Sequence, residues 1–130
     1  MKKIIPCIAF MLFSITVMAQ KSRIARKELL KAPMNQKVTT AEVQEITMPG
    51  GETAPKHLHP CPVIGIIKSG EVIFQIEGEE SIILHEGDAF YEPKNVNILH
   101  FDNASKEKAL VFTAMYLKKG HEENIQFLNK

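Results

Sequence analysis

The chain has 130 residues, 45% hydrophobic and 24% charged, which fits one globular domain. Its formal charge is +1 and neither half is strongly basic, so the clustered cationic face that a nucleic-acid partner needs is not expected.

Residues 1–19 read as a signal peptide. Lys2 and Lys3 give a positive start, residues 4–17 form an almost unbroken apolar run, and Val17-Met18-Ala19 precedes Gln20. The run is too short to span a bilayer comfortably and no stop-transfer segment follows, so no stable membrane span is expected after cleavage. The expected mature chain starts at Gln20 and is periplasmic or secreted; the alternative is an uncleaved N-terminal anchor. Loss of Lys2 and Lys3 leaves 14 basic against 15 acidic residues, a net charge of −1. Cys7 leaves with the leader, so Cys61 stands alone and no intramolecular disulfide can form. Cys61 is then a buried thiol, an intermolecular bridge or a ligand.

Residues 20–37 read as an N-terminal arm. Ile24, Leu29 and Leu30 stand among basic residues, which suits a helical turn or an extended segment, and Pro33 breaks any helix. From residue 38 the pattern changes. Apolar runs at 38–48, 63–67, 72–76, 81–84, 89–91, 96–101 and 109–117 alternate with Gly, Pro, Asn and Asp. Their lengths and their Val, Ile, Phe and Tyr content are those of strands. Seven or eight short strands over residues 38–120 predict an all-β fold, a small β-barrel or double-sheet jelly roll, followed by a tail at 121–130. An interior not filled by side chains would be a ligand pocket.

The strongest local feature is Gly51-Glu52-Thr53-Ala54-Pro55-Lys56-His57-Leu58-His59. Histidines at i and i+2 on a strand project to one face, so both imidazoles can reach one metal ion from a rigid backbone. Imidazole suits zinc, copper, iron, nickel and manganese. His-x-His alone is a weak signal, and two surface histidines are the plain alternative.

These residues carry a family resemblance. Gly51, His57, His59 and Gly70 stand at the spacings of the first cupin motif, and Gly87 and Pro93 at those of the second. The stretch Gly87-Asp88-Ala89-Phe90-Tyr91-Glu92-Pro93 resembles the second motif's turn and strand, and Asn103-Ala104-Ser105 the turn after it. The chain thus resembles the cupin family over residues 38–120, which implies a cupin-type β-barrel, the double-stranded β-helix. The resemblance also implies a divalent metal ion as cofactor, a small-molecule ligand in the barrel, and a homodimer paired through sheet edges and an arm such as 21–48. Two ligand positions depart from the pattern. The family's Glu falls at Val63 and its second-motif His at Ile98, while Asn95 replaces a Gly and can still adopt a left-handed conformation.

His100 lies two residues beyond Ile98, and regular strand alternation would turn both the same way. The expected metal site is therefore His57, His59 and His100, with the alternative that His100 is a hydrogen-bonded histidine at the barrel mouth. Cys61, in His59-Pro60-Cys61-Pro62, is a further thiolate candidate, against the plain reading of a small buried hydrophobe. Glu92 and Asp102 are weaker candidates for an oxygen ligand. His85 and His121 are expected to be exposed. Two functions compete: an exported metal-binding cupin of unassigned reaction, and a metal-free small-molecule binding or sensing module, which Val63 and Ile98 favour by making the pocket more apolar.

Overall fold

The computed structural model describes residues 2–3 and 23–128. Apart from Lys2 and Lys3, the expected leader at 1–19 lies outside the described residues. Among the described residues no helix is long and apolar enough to cross a membrane. Residues 23–39 adopt neither helix nor strand. The end of this arm follows strand 110–118, where Gln36 Nε2 donates to the Leu117 carbonyl and Thr39 N–H to that of Lys118.

Among the described residues nine strands follow: β1 (Thr40–Met48), β2 (His57–Leu58), β3 (Val63–Ser69), β4 (Val72–Ile76), β5 (Ile82–Leu84), β6 (Ala89–Glu92), β7 (Ile98–Asn103), β8 (Leu110–Lys118) and β9 (Gln126–Phe127). They form two antiparallel sheets in the orders β1-β8-β3-β6 and β5-β4-β7-β2-β9. The expected all-β double-sheet fold is therefore present. The sequence pattern misses β9, which lies inside the expected tail and pairs with β2.

Alternation places the core between the sheets. Val63 and Ile67 of β3, Val72 and Phe74 of β4, and Leu110, Phe112 and Ala114 of β8 all face inward and are buried. Phe74, Phe90, Phe101 and Phe112 pack as an aromatic cluster with ring centroids 4.8–6.1 Å apart, the tilted and edge-on range that aromatic pairs favour. Asn103, the last residue of β7, is buried. Its Nδ2 donates to the carbonyls of Met48, Pro49 and Lys108, and its Oδ1 accepts from Ser105 N–H.

Two backbone irregularities decide where the histidines go. Asn95 takes φ 59°, the left-handed conformation open to an asparagine, and from there its N–H donates to the His59 carbonyl. That bond ties the irregular 59–62 segment to the β6–β7 turn. The second irregularity is a bulge between β4 and β7: Gln75 pairs with His100 but Ile76 pairs with Ile98. Leu99 is the extra residue. The bulge resets the alternation, so Ile98 and Phe101 both face the core and His100 faces out.

Candidate metal centre

β2 is held between two partners. His57 pairs with Ile98 of β7 on one side and Phe127 of β9 on the other. Its inward side chain and that of His59 are both 4% exposed, with ring centroids 5.0 Å apart. Each imidazole is oriented through Nδ1. His57 Nδ1–H donates to the Pro55 carbonyl at 2.8 Å, and His59 Nδ1–H donates to that of Asn124. Backbone acceptors of this kind fix ring and tautomer in metal-binding histidines, leaving Nε2 as the outward lone pair.

The third group comes from the opposite sheet. Val63 of β3 pairs with Glu92 of β6 on one side and with Tyr116 of β8 on the other. All three face inward and are buried. The carboxylate absent at position 63 is thus supplied one strand over. Glu92 Oε2 lies 2.7 Å from His59 Nε2, and His57, His59 and Glu92 each offer one ligand atom within 4.8 Å of the others.

The two histidines differ electrostatically. Burial draws His57 below the ordinary histidine value, so its imidazole is neutral near pH 7. Burial acts the same way on His59, but the hydrogen bond and charge of Glu92 and the Asn124 carbonyl outweigh it and hold His59 above that value. Burial, then Glu92, push the Tyr116 phenol up to about 12, so it stays a neutral donor.

Once His59 gives up its proton, two imidazoles and a carboxylate make the donor set of the 2-His-1-carboxylate iron sites and of open zinc sites. The residues present therefore fit a divalent ion by chemistry, burial and orientation. They face a cavity of about 270 Å³ with mainly apolar walls, including Ile46, Met48, Phe90, Phe101 and Phe112.

The remaining candidates fall elsewhere. His100 is not part of this group: the β7 bulge turns it to the outer surface, where its Nδ1 lies 2.8 Å from Asp102 Oδ2. Asp102 is thereby engaged outside the site. Cys61 is fully buried, its thiol raised by burial, with Sγ directed at the Glu123 carbonyl. It stands outside the ligand group, as a buried small side chain. His85 and His121 are exposed.

The C-terminal segment is part of the site, which the sequence pattern does not reveal. Asn124 supplies the acceptor for His59, and Ile125 and Phe127 line the cavity. A polar clamp holds this segment down: Lys118 Nζ donates to Glu42 Oε2 and Asn124 Oδ1, and Asn124 Nδ2 donates to Glu42 Oε1. The available signal was Ile125 and Phe127, apolar at the spacing of two that marks a strand face.

A family model described as "Cupin domain" matches residues 44–116, more than half of the chain. The chain belongs to the cupin family. Solved structures agree on the fold. A cupin-like protein from Thermotoga maritima is 26% identical, with TM-score 0.58, over 68% of this cupin and 65% of its own chain. Oxalate oxidase in complex with glycolate is 22% identical, TM-score 0.58, over 68% and 46%. Vicilin from Capsicum annuum is 18% identical, TM-score 0.57, over 66% and 24%. In each case the match spans less than two thirds of the other chain. No curated protein matches. An oxidase and vicilin share this barrel, so the fold does not select a reaction.

Proposed function

We propose that this cupin holds one divalent metal ion through His57 Nε2, His59 Nε2 and Glu92, and binds a small organic molecule in the adjoining cavity. The observation that carries the reading is convergence: three buried ligand groups from two sheets meet at the cavity, both imidazoles pinned by backbone carbonyls. A bound ion with open positions would supply Lewis acidity, water activation or redox chemistry. The protein's own part is to hold the ligands, exclude water with apolar walls, and present the Tyr116 hydroxyl. The test is elemental analysis of untagged protein beside a His57→Ala/His59→Ala variant. One equivalent of metal in the parent and none in the variant is expected; a metal-free parent with no thermal shift on adding zinc, manganese or copper overturns the reading.

One observation favours a second reading, a metal-free binding module. The His59–Glu92 contact at 2.7 Å satisfies both groups without an ion. The same assay separates the two.

Export and dimerisation complete the proposal. Export is supported by Lys2 and Lys3 ahead of the apolar run. A homodimer is supported by the outer face of the four-stranded sheet, where Val43, Met115, Ile64 and Tyr91 follow one another across β1, β8, β3 and β6. Val43 and Met115 are exposed there. Mass spectrometry of the secreted product is expected to give Gln20 as first residue, and sedimentation a two-chain mass; an intact leader or a monomer counts against them.

A further inference from the structure

The segment 119–128 joins the two sheets. It leaves β8 of the four-stranded sheet through Gly120, at φ 67°, and ends as β9 on the edge of the five-stranded sheet, beside β2. Three consecutive residues make different contacts on the way. Glu123 offers its carbonyl to the fully buried Cys61 thiol. Asn124 takes the Glu42–Lys118 clamp with its side chain and the His59 Nδ1–H with its carbonyl. Ile125 is a wall of the cavity, as is Phe127 two residues on. Because these contacts are adjacent in the chain, the segment cannot lift from the cavity without also lifting from Cys61.

Its hold on the barrel is slight beside the barrel's own seams. β9 pairs with β2 over two residues, whereas β1 and β8 pair over nine. Phe127 is 50% exposed, so half of its surface gains nothing from burial. The charged partners of the segment, Lys94 at Glu122 and Glu42 and Lys118 at Asn124, are all partly exposed, and exposed ion pairs contribute little net stability. Segments held by few buried apolar contacts open locally while the core stays folded.

We propose that residues 119–128 are a strap that opens as one unit from the folded barrel, with Asn124 as its catch, and that this opening uncovers Cys61 and the cavity together. The inference stands without a bound ion. Opening also withdraws the carbonyl that fixes His59 Nδ1, so the position of the strap and the orientation of that imidazole are coupled.

The test follows two reporters in the whole protein at sub-denaturing urea. One is alkylation of Cys61 by iodoacetamide, read on its peptide by mass spectrometry. The other is deuterium exchange of residues 122–128, where the Leu128 N–H donates to the Lys56 carbonyl. Both are expected to run at rates nearly independent of urea, the mark of a small local opening, while exchange of β8 follows the full urea slope of unfolding. Asn124→Ala removes both side-chain ties and is expected to speed both reporters by a common factor of about tenfold, the worth of roughly 1.4 kcal/mol lost from the closed state. Lys68→Met, which breaks the exposed Lys68–Glu45 pair elsewhere on the barrel, is expected to change neither. Cys61 alkylation that follows the global urea slope overturns the strap. Reporters that respond to Asn124→Ala by different factors overturn the single unit. No acceleration by Asn124→Ala, or an equal one by Lys68→Met, overturns the catch. The urea dependence of the parent decides the first point even if a variant fails to fold.

Discussion

Glu92→Gln is expected to cost at least about 100-fold in divalent-metal affinity, because loss of a ligand exceeds the roughly 10–100-fold typical of outer-shell partners. Glutamine keeps the size of Glu92 and an acceptor for His59 but removes the charge that balances the ion. In the metal-free protein the same change is expected to cost about 1.5–3 kcal/mol below neutral pH, the range for a hydrogen bond to a charged group. The sign follows from His59. Its folded pKa stands above the unfolded value of about 6.5, so the stability it gains from Glu92 is fully present below that value and is lost as pH rises through the folded pKa. His57, already neutral, gives the opposite slope: folding leaves it uncharged, so stability falls as pH drops below about 6.5.

Metal binding inherits the His59 proton. The ion must displace it, so affinity is expected to rise with pH and level off once His59 has lost its proton. Glu92→Gln removes the group that holds this proton, so the plateau is expected to begin at lower pH. Calorimetric titration with zinc in buffers of different ionisation enthalpy measures the released proton directly. Release that is the same in parent and variant, or affinity that does not rise with pH, would show that the His59–Glu92 pair is not where the metal sits.

How much of this site can be read from the sequence depends on whether neighbours in space are neighbours in the chain. His57 and His59 are legible because a two-residue spacing on a strand fixes their common face. The barrel is legible because strand lengths and turn residues repeat regularly. Glu92 is visible only as a weak oxygen candidate, since its role depends on lying across from Val63, a β3–β6 register no single strand encodes. His100 misleads for the converse reason. Its spacing from Ile98 is right, but one bulge residue, Leu99, breaks the alternation, and bulges carry little local sequence signal. The place of Asn124 depends on a side-chain clamp to Glu42 of β1 and Lys118 of β8, a pairing no single segment encodes.

Below the row of Glu92, Val63 and Tyr116 lies a position where the backbone itself shapes the cavity. Gly65 sits in the middle of β3, paired with Phe90 of β6 and Ala114 of β8. A Cβ at Gly65 would meet both the Phe90 ring and the Thr113 carbonyl oxygen closer than real Cβ atoms come. Glycine weakens a strand interior, so its presence here is explained by close approach: the Phe90 ring lies against the bare β3 backbone and leaves space above it. Gly65→Ala is expected to lose about 1–3 kcal/mol, the usual cost of overpacking, read as a lower midpoint in urea. It should also displace Phe90, which lines the cavity, and so weaken binding of a cavity ligand more than binding of the metal. The two contacts separate in a double variant. Phe90→Leu relieves the ring clash but leaves the Thr113 carbonyl untouched, so Gly65→Ala/Phe90→Leu should recover cavity binding while regaining only part of the stability. A Gly65→Ala protein as stable as the parent would show that the β3–β8 backbone yields easily at this row. The rigid spacing that sets Glu92, Val63 and Tyr116 side by side, one row above, would then need another cause.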